Sequence, residues 1–287
     1  MGVHLQVVRK KSVSQLFAAV LLLLPSLSVR AAPPPALEVP PGSVARWEGE
    51  GTTRCGTAQE TWDPAGGACW FPVDLLLAEG TLVEVSRWEG DARETATLRV
   101  GASPYPVEKV KVPDTYVHLS PKNAERAKRE AERVAALWPL RTRTSFALPL
   151  GPPLRNAPPP RNFGTRRVVN GEPKTPHAGA DYRAPRGTPV LAVDRGRVVL
   201  ADNLFYSGGS VFLDHGDGLF SMYFHLDRVE VRVGDEVSRG KVVGSAGATG
   251  RASGPHLHFA LRWKGARVDP GILLGDPSRA PRLPPGG

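Results

Sequence analysis

Long apolar runs are scarce in this chain. The longest, Leu16–Leu24, falls well short of the roughly 20 residues a bilayer-spanning helix needs. It follows Arg9, Lys10 and Lys11 and precedes small residues at Val29 and Ala31. That layout is a secretory signal with a cut after Ala31, the alternative being an uncleaved membrane anchor. Cysteine is nearly absent too. Cys55 and Cys69 are the only two, neither lies near the cut, and so lipid attachment there is not expected. In an oxidising compartment the pair is expected as a structural disulfide. Closing that loop of about 15 residues stabilises by roughly 3 kcal/mol in the chain-entropy model. No histidine is close to either cysteine, which argues against a metal role for them.

Nucleic-acid signatures are missing as well. There is no RNP, zinc-finger or basic-helix pattern. Removing residues 1–31 takes away four basic residues and no acids, lowering the formal net charge from +9 to about +5. A mild positive balance suits weak attraction to an anionic envelope polymer.

What is present divides into segments. A length of 287 residues suggests two domains. Behind the signal at 1–31, residues 32–118 read as short strands. Segments such as "TLVEVSRW", "TATLRV" and "VEKVKV" alternate apolar with polar and are separated by Gly, Pro and Asp turns. A small β-sandwich-like accessory domain is the expectation. Residues 119–138 form a helix, with Ser120 as N-cap and Pro121 at the first helical position. A Pro-rich connector occupies 139–160, and 277–287 is expected to be a flexible tail. From 161 to 276 the chain is β again and rich in glycine, coupling strands to tight turns. No amphipathic helix of useful length interrupts it, so an antiparallel β domain is expected. The chain as a whole is therefore mainly β.

Histidine is rare, with seven in the chain, yet five fall in this last segment. His4 lies in the signal, and His118 stands alone at a strand end. In "GPHLHF", His256 and His258 are two apart, so a strand projects both from one face. In "PHAGADY", His177 precedes Asp181 by four, again one face of extended chain, with Gly179 between them giving the backbone freedom to approach a ligand. His177, Asp181 and His258 make a three-ligand zinc set that leaves a fourth position for water. Zinc lowers the pKa of such a water toward neutrality. Hydrolysis also needs a proton acceptor, and no HExxH motif supplies one. His256 and His225 are the candidates. Tyr223, two residues before His225, is expected on the same face with its hydroxyl in the cleft. His215 in "LDHGDG" begins a turn and is expected to be structural.

These motifs, in this order, carry a resemblance. "FGTRRVVNG", "PHAGADYRAPRGTPVLAVDRGRVV", "GGSVFLDHGDGLFSMYFHL" and "VRVGDEVSRGKVVGSAGATGRASGPHLHF" resemble the lysostaphin/LytM-type zinc endopeptidases from about Phe163 to Leu274. The resemblance implies a fold related to the barrel-sandwich hybrid. It also implies Zn²⁺ on His177, Asp181 and His258, with His225 and His256 assisting catalysis, and the peptide cross-links of bacterial peptidoglycan as substrate. Arg166, Arg167 and Asn170 are expected on the loop leading to the cleft, where the arginines meet substrate carboxylates; ordinary solvated charges are the alternative. The β domain and helix at 37–138 resemble the accessory region of some exported members.

Two rival readings stand beside this one. A catalytically silent relative that binds the wall and activates an amidase is expected to lack ligands, whereas all five residues stand here. A biotinyl or lipoyl carrier shares the turns "GTPVLAVDRGRVV" and "VRVGDEVSRGKVVG" but needs a lysine on a hairpin tip, and Lys241 lacks that setting. The expectation is an exported enzyme, periplasmic or wall-associated, acting on peptidoglycan stem peptides, with a regulatory envelope protein as a possible partner. A D-alanyl–diaminopimelate cross-link is favoured over a glycine bridge by analogy.

Overall fold

Alternation with Gly and Pro turns builds strands throughout this chain, and the computed structural model describes residues 36–111, 119–156, 160 and 162–284. The signal segment and His118 lie outside them. The first eight strands are β1 (Leu37–Val39), β2 (Val44–Glu48), β3 (Thr52–Thr57), β4 (Thr61–Trp62), β5 (Ala68–Pro72), β6 (Leu82–Glu89), β7 (Ala92–Val100) and β8 (Val107–Val110). A five-stranded sheet in the order β1-β7-β6-β3-β4 faces the β2-β5 pair. Trp47, Trp62, Phe71, Val85 and Leu98 fill the space between them. The Cys55–Cys69 disulfide lies in this core and joins β3 to β5.

Helix α1 (Pro121–Ala135) begins where Ser120 accepts a hydrogen bond from the Asn123 amide. None of its residues is fully buried. Val134, with Leu137 and Trp138 just beyond the helix, packs on Leu200, Phe212 and Met222 of the following domain. Phe146, Leu150 and Leu154 of the Pro-rich stretch are buried in that domain's main core.

The remaining strands are β9 (Arg166–Val169), β10 (Glu172–Pro173), β11 (Ala180–Arg183), β12 (Pro189–Leu191), β13 (Gly196–Leu204), β14 (Gly208–Asp214), β15 (Leu219–Val229), β16 (Glu236–Val237), β17 (Val242–Ala246), β18 (His256–Trp263) and β19 (Ala266–Val268). Nine of them, β11 to β19, make one antiparallel sheet with the path β11-β18-β15-β14-β13-β16. β9 pairs instead with β10 and, in parallel, with β8. A short helix, α2 (Pro270–Leu274), closes the domain on Asp269 as its N-cap.

The two sheet systems are tied together. Val44, Trp70 and Leu75 of the first join the core of the second, where Trp70 lies against Trp263 with ring centroids 6.5 Å apart. Asp74 accepts two bonds from the Arg267 guanidinium at 3.0 and 3.2 Å and a third from its backbone amide at 2.8 Å. The expected flexible tail is corrected over 277–284. Leu283 is buried in the first core, and Arg46 exchanges backbone hydrogen bonds with Pro281 and Leu283. An apolar residue that can complete a core, together with two ladder bonds, outweighs the entropy of a short free end. Among the described residues, no helix is long and apolar enough to cross a membrane.

Candidate active site

Three strands bring the cleft together. β11 and β18 pair so that Asp181 lies opposite His258, and β15 sets Phe224 opposite the same His258 from the other side. Ring centroids of Phe224 and His258 are 5.4 Å apart. His177 precedes β11 and turns its Nε2 back to 2.9 Å from His258 Nδ1 and 3.3 Å from Asp181 Oδ1. The latter oxygen is also 2.9 Å from His258 Nδ1.

Backbone carbonyls fix which ring nitrogen is free. A carbonyl only accepts, so the nitrogen facing it carries the proton. His177 donates from Nδ1 to the Asn162 carbonyl at 3.0 Å, His225 to that of Thr249 at 2.8 Å, and His256 to that of Gly254 at 2.7 Å. Each of these rings thereby leaves Nε2 as the nitrogen not engaged by a backbone carbonyl. His258 is reversed. Its Nδ1 faces the cluster while Nε2 abuts Gly179, where an added Cβ would lie 2.5 Å from it. The glycine between His177 and Asp181 is thus required by the close approach of the His258 ring.

His177, Asp181 and His258 offer ligand atoms within 4.8 Å of one another. Two imidazole nitrogens and a carboxylate oxygen converge on one point, a donor set that suits zinc with a position left open. Burial pushes the Asp181 carboxyl upward, but hydrogen bonds and charge from His177 and His258 outweigh it and hold the group far below the usual carboxylate range. Burial likewise lowers His258. Both shifts favour the metal-binding forms, carboxylate and neutral imidazole.

His225 reaches the cleft by a route the alternation did not predict. Tyr223 faces the core, fully buried, so two residues on His225 should face it too. The register of β14 against β15 slips here, with Val211 opposite Tyr223 but Gly209 opposite Leu226. His225 takes φ +61° at this bulge and swings to the other face. Its ring lies 4.8 Å from that of His256 and 6.0 Å from that of His258. Burial, only partly offset by the Thr249 carbonyl, lowers its pKa to about 4. The expectation that Tyr223 adds a hydroxyl to the cleft is therefore corrected. Its oxygen accepts from the Val193 amide at 3.0 Å and bonds the Ser221 hydroxyl at 3.0 Å, deep in the core. Ser221 in turn meets His215 Nε2 at 2.7 Å, so His215 belongs to this buried chain rather than to the cleft.

The expected arginines do not join the cluster. Arg167 forms an ion pair with Glu108 at 3.4 Å on the neighbouring strand. Arg166 lines a separate groove of about 460 Å³ with Leu75, Leu77 and Ala102. Asn170 sits at φ +51° in the β9-β10 turn. The sequence reading missed Asn162. Its side-chain amide donates to Asp181 Oδ2 at 2.8 Å and its side-chain oxygen accepts from the Asp181 amide at 3.2 Å. Together with the carbonyl bond to His177, one residue orients two members of the cluster. Its position immediately before "FGTRR" and its tolerance of φ +64° were the available signals.

Comparison with known proteins settles the domain's family. The model described as Peptidase family M23 matches residues 175–270. Residues 175–270 are an M23 peptidase domain. The chain is 41% identical over 109 residues to the peptidoglycan DD-endopeptidase ShyA of Vibrio cholerae serotype O1, covering 38% of this chain and 25% of that protein. It is 39% identical over 94 residues to the DD-carboxypeptidase/endopeptidase Mpg of Neisseria meningitidis serogroup B, covering 33% and 22%. The chain thus spans about a quarter of the length of these curated relatives. An M23-assigned crystal structure from Pseudomonas aeruginosa is similar over 82% of this chain and 95% of its own, with TM-score 0.64 and 29% identity. That similarity extends well beyond the M23 segment, into the accessory sheets.

Proposed function

We propose that this protein is a zinc-dependent endopeptidase of peptidoglycan, cutting the peptide cross-link between D-alanine and diaminopimelate. The observation that carries the reading is the convergence of His177 Nε2, Asp181 Oδ1 and His258 Nδ1 on one point beside two further histidines with free Nε2 atoms. The M23 domain and the DD-endopeptidase names of its relatives support the substrate class.

His177, Asp181 and His258 hold the metal, and Asn162 fixes the orientation of the first two. When bound, zinc supplies Lewis acidity that brings a water's pKa toward neutrality and polarises the scissile carbonyl. His256 takes the proton from the attacking water and returns it to the leaving amine. His225, kept neutral by burial, accepts a hydrogen bond in the cleft and holds the water against His256. The bulge that re-aims His225 is strained backbone at a site of chemistry. We assign the protein to the cell envelope, exported by the segment ending at Ala31, with the M23 domain facing the wall.

The test is digestion of isolated sacculi by the purified protein, with released fragments identified by mass spectrometry beside a chelated control. New amino and carboxyl ends within cross-linked peptides, lost on chelation and regained with zinc, support the reading. No release of fragments despite bound zinc would instead point to an inhibited or amidase-activating form.

A further inference from the structure

One charged side chain on the cleft face is used by neither the ligand cluster nor the histidine pair. Arg183 ends β11 two residues after Asp181, and strand alternation sets both on one side of the sheet. Burial agrees, since Ala180 and Tyr182 are buried, Asp181 is half-buried and Arg183 is exposed. β18 shows the same alternation, with Leu257 and Phe259 buried and His256 and His258 half-buried. The register makes the two strands a ladder with two polar rungs, Asp181 opposite His258 and Arg183 opposite His256. Side chains of directly opposed residues start roughly 5 Å apart. The Arg183 side chain therefore leaves the backbone beside that of His256, one rung from Asp181 and His258.

β11 is the outermost strand of its sheet, and Arg183 on it is exposed. Arg186 and Arg167, by contrast, are paired, with Asp227 at 2.7 Å and Glu108 at 3.4 Å. Among the described residues, no carboxylate lies within ion-pair distance of Arg183. A charge on an edge strand discourages edge-to-edge pairing, and any charged residue achieves that. A guanidinium opposite a cleft histidine adds a planar, two-pronged donor suited to a carboxylate.

We propose that Arg183 is a carboxylate-binding subsite, reading a free carboxylate on the substrate peptide adjacent to the scissile amide. The proposal rests on the stem-peptide reading above and adds a selectivity to it. Stem peptides whose neighbouring carboxylate is amidated are poorer substrates. Arg183 holds the acidic peptide in register with His256, and its contribution appears mainly in KM.

The experiment uses two synthetic cross-linked stem-peptide dimers, identical except that the diaminopimelate carboxylate beside the cut is free in one and amidated in the other. The ratio of kcat/KM values is measured for the zinc-loaded wild type, Arg183→Lys and Arg183→Ala. The wild type is expected to prefer the free acid by about tenfold, the scale of one charge-assisted pair. In Arg183→Ala the ratio falls to near one through KM, and Arg183→Lys recovers part of it. An undiminished ratio in Arg183→Ala, no preference in the wild type, or loss of zinc together with the preference overturns the subsite. If the wild type cuts neither dimer and releases nothing from sacculi, the stem-peptide reading itself falls, and the subsite with it. Cutting of both dimers at equal rates removes the subsite alone.

Discussion

Asn162 and Asp181 hold each other by two hydrogen bonds, one from the Asn162 amide to the carboxylate at 2.8 Å and one from the Asp181 backbone amide at 3.2 Å. The carboxylate oxygen facing His177 and His258 is thereby the one left for a metal. Supporting partners of this kind commonly account for 10–100-fold in metal affinity. Asn162→Ala is expected to lose about that much in a chelator competition, with an unchanged far-UV spectrum. Equal zinc affinity in variant and wild type would reduce Asn162 to a loop anchor.

Gly179 gives a sharper steric prediction. A Cβ there would lie 2.5 Å from His258 Nε2 and 2.7 Å from the Phe259 carbonyl, so that something must shift. Gly179→Ala should therefore displace the His258 ring and lower kcat/KM by more than about tenfold, since misplacing a reacting group by 1 Å can cost roughly 100-fold. Zinc content measured on the same preparation should fall as well.

The disulfide predicts stability rather than chemistry. Cys55 and Cys69 are 14 residues apart and their bridge is buried in the accessory core. Replacing both by serine should cost about 3 kcal/mol in the chain-entropy model. Thermal unfolding is the readout, with a drop of roughly 6–12 °C expected for a chain of this size.

His215 predicts a pH dependence. It is completely buried and bonded at both nitrogens, and burial lowers its pKa below the ordinary value. As pH falls below about 6.5, the unfolded chain takes up this proton before the folded one does. Its contribution to stability is thus present at neutral pH and declines on acidification. The urea midpoint should drop more between pH 7 and pH 5 in the wild type than in His215→Gln. Parallel drops would show that other groups dominate the acid limb.

These cases show which links were legible in the sequence. The nearness of His177 to Asp181, the His256–His258 pair on one strand, the helix cap at Ser120 and the cysteine bridge come from local patterns, and each is present in the fold. Period-two alternation failed at the bulge by His225, because a register slip depends on what the partner strand does. That single slip moved Tyr223 into the core while keeping His225 in the cleft. Asn162 was missed because its role is to bridge 19 residues of chain rather than to repeat with any period. Leu283 was read as tail because nothing local reveals that a core elsewhere has a place for it.

The central claim is that His258 binds zinc while its neighbour His256 moves protons. The most direct measurement is the zinc-to-protein ratio of purified His258→Ala and His256→Ala, taken beside their turnover on sacculi. The account predicts that His258→Ala loses both zinc and activity, and that His256→Ala keeps stoichiometric zinc with turnover reduced by at least about 100-fold. Full activity in His256→Ala, or zinc retained at wild-type affinity in His258→Ala, would contradict it.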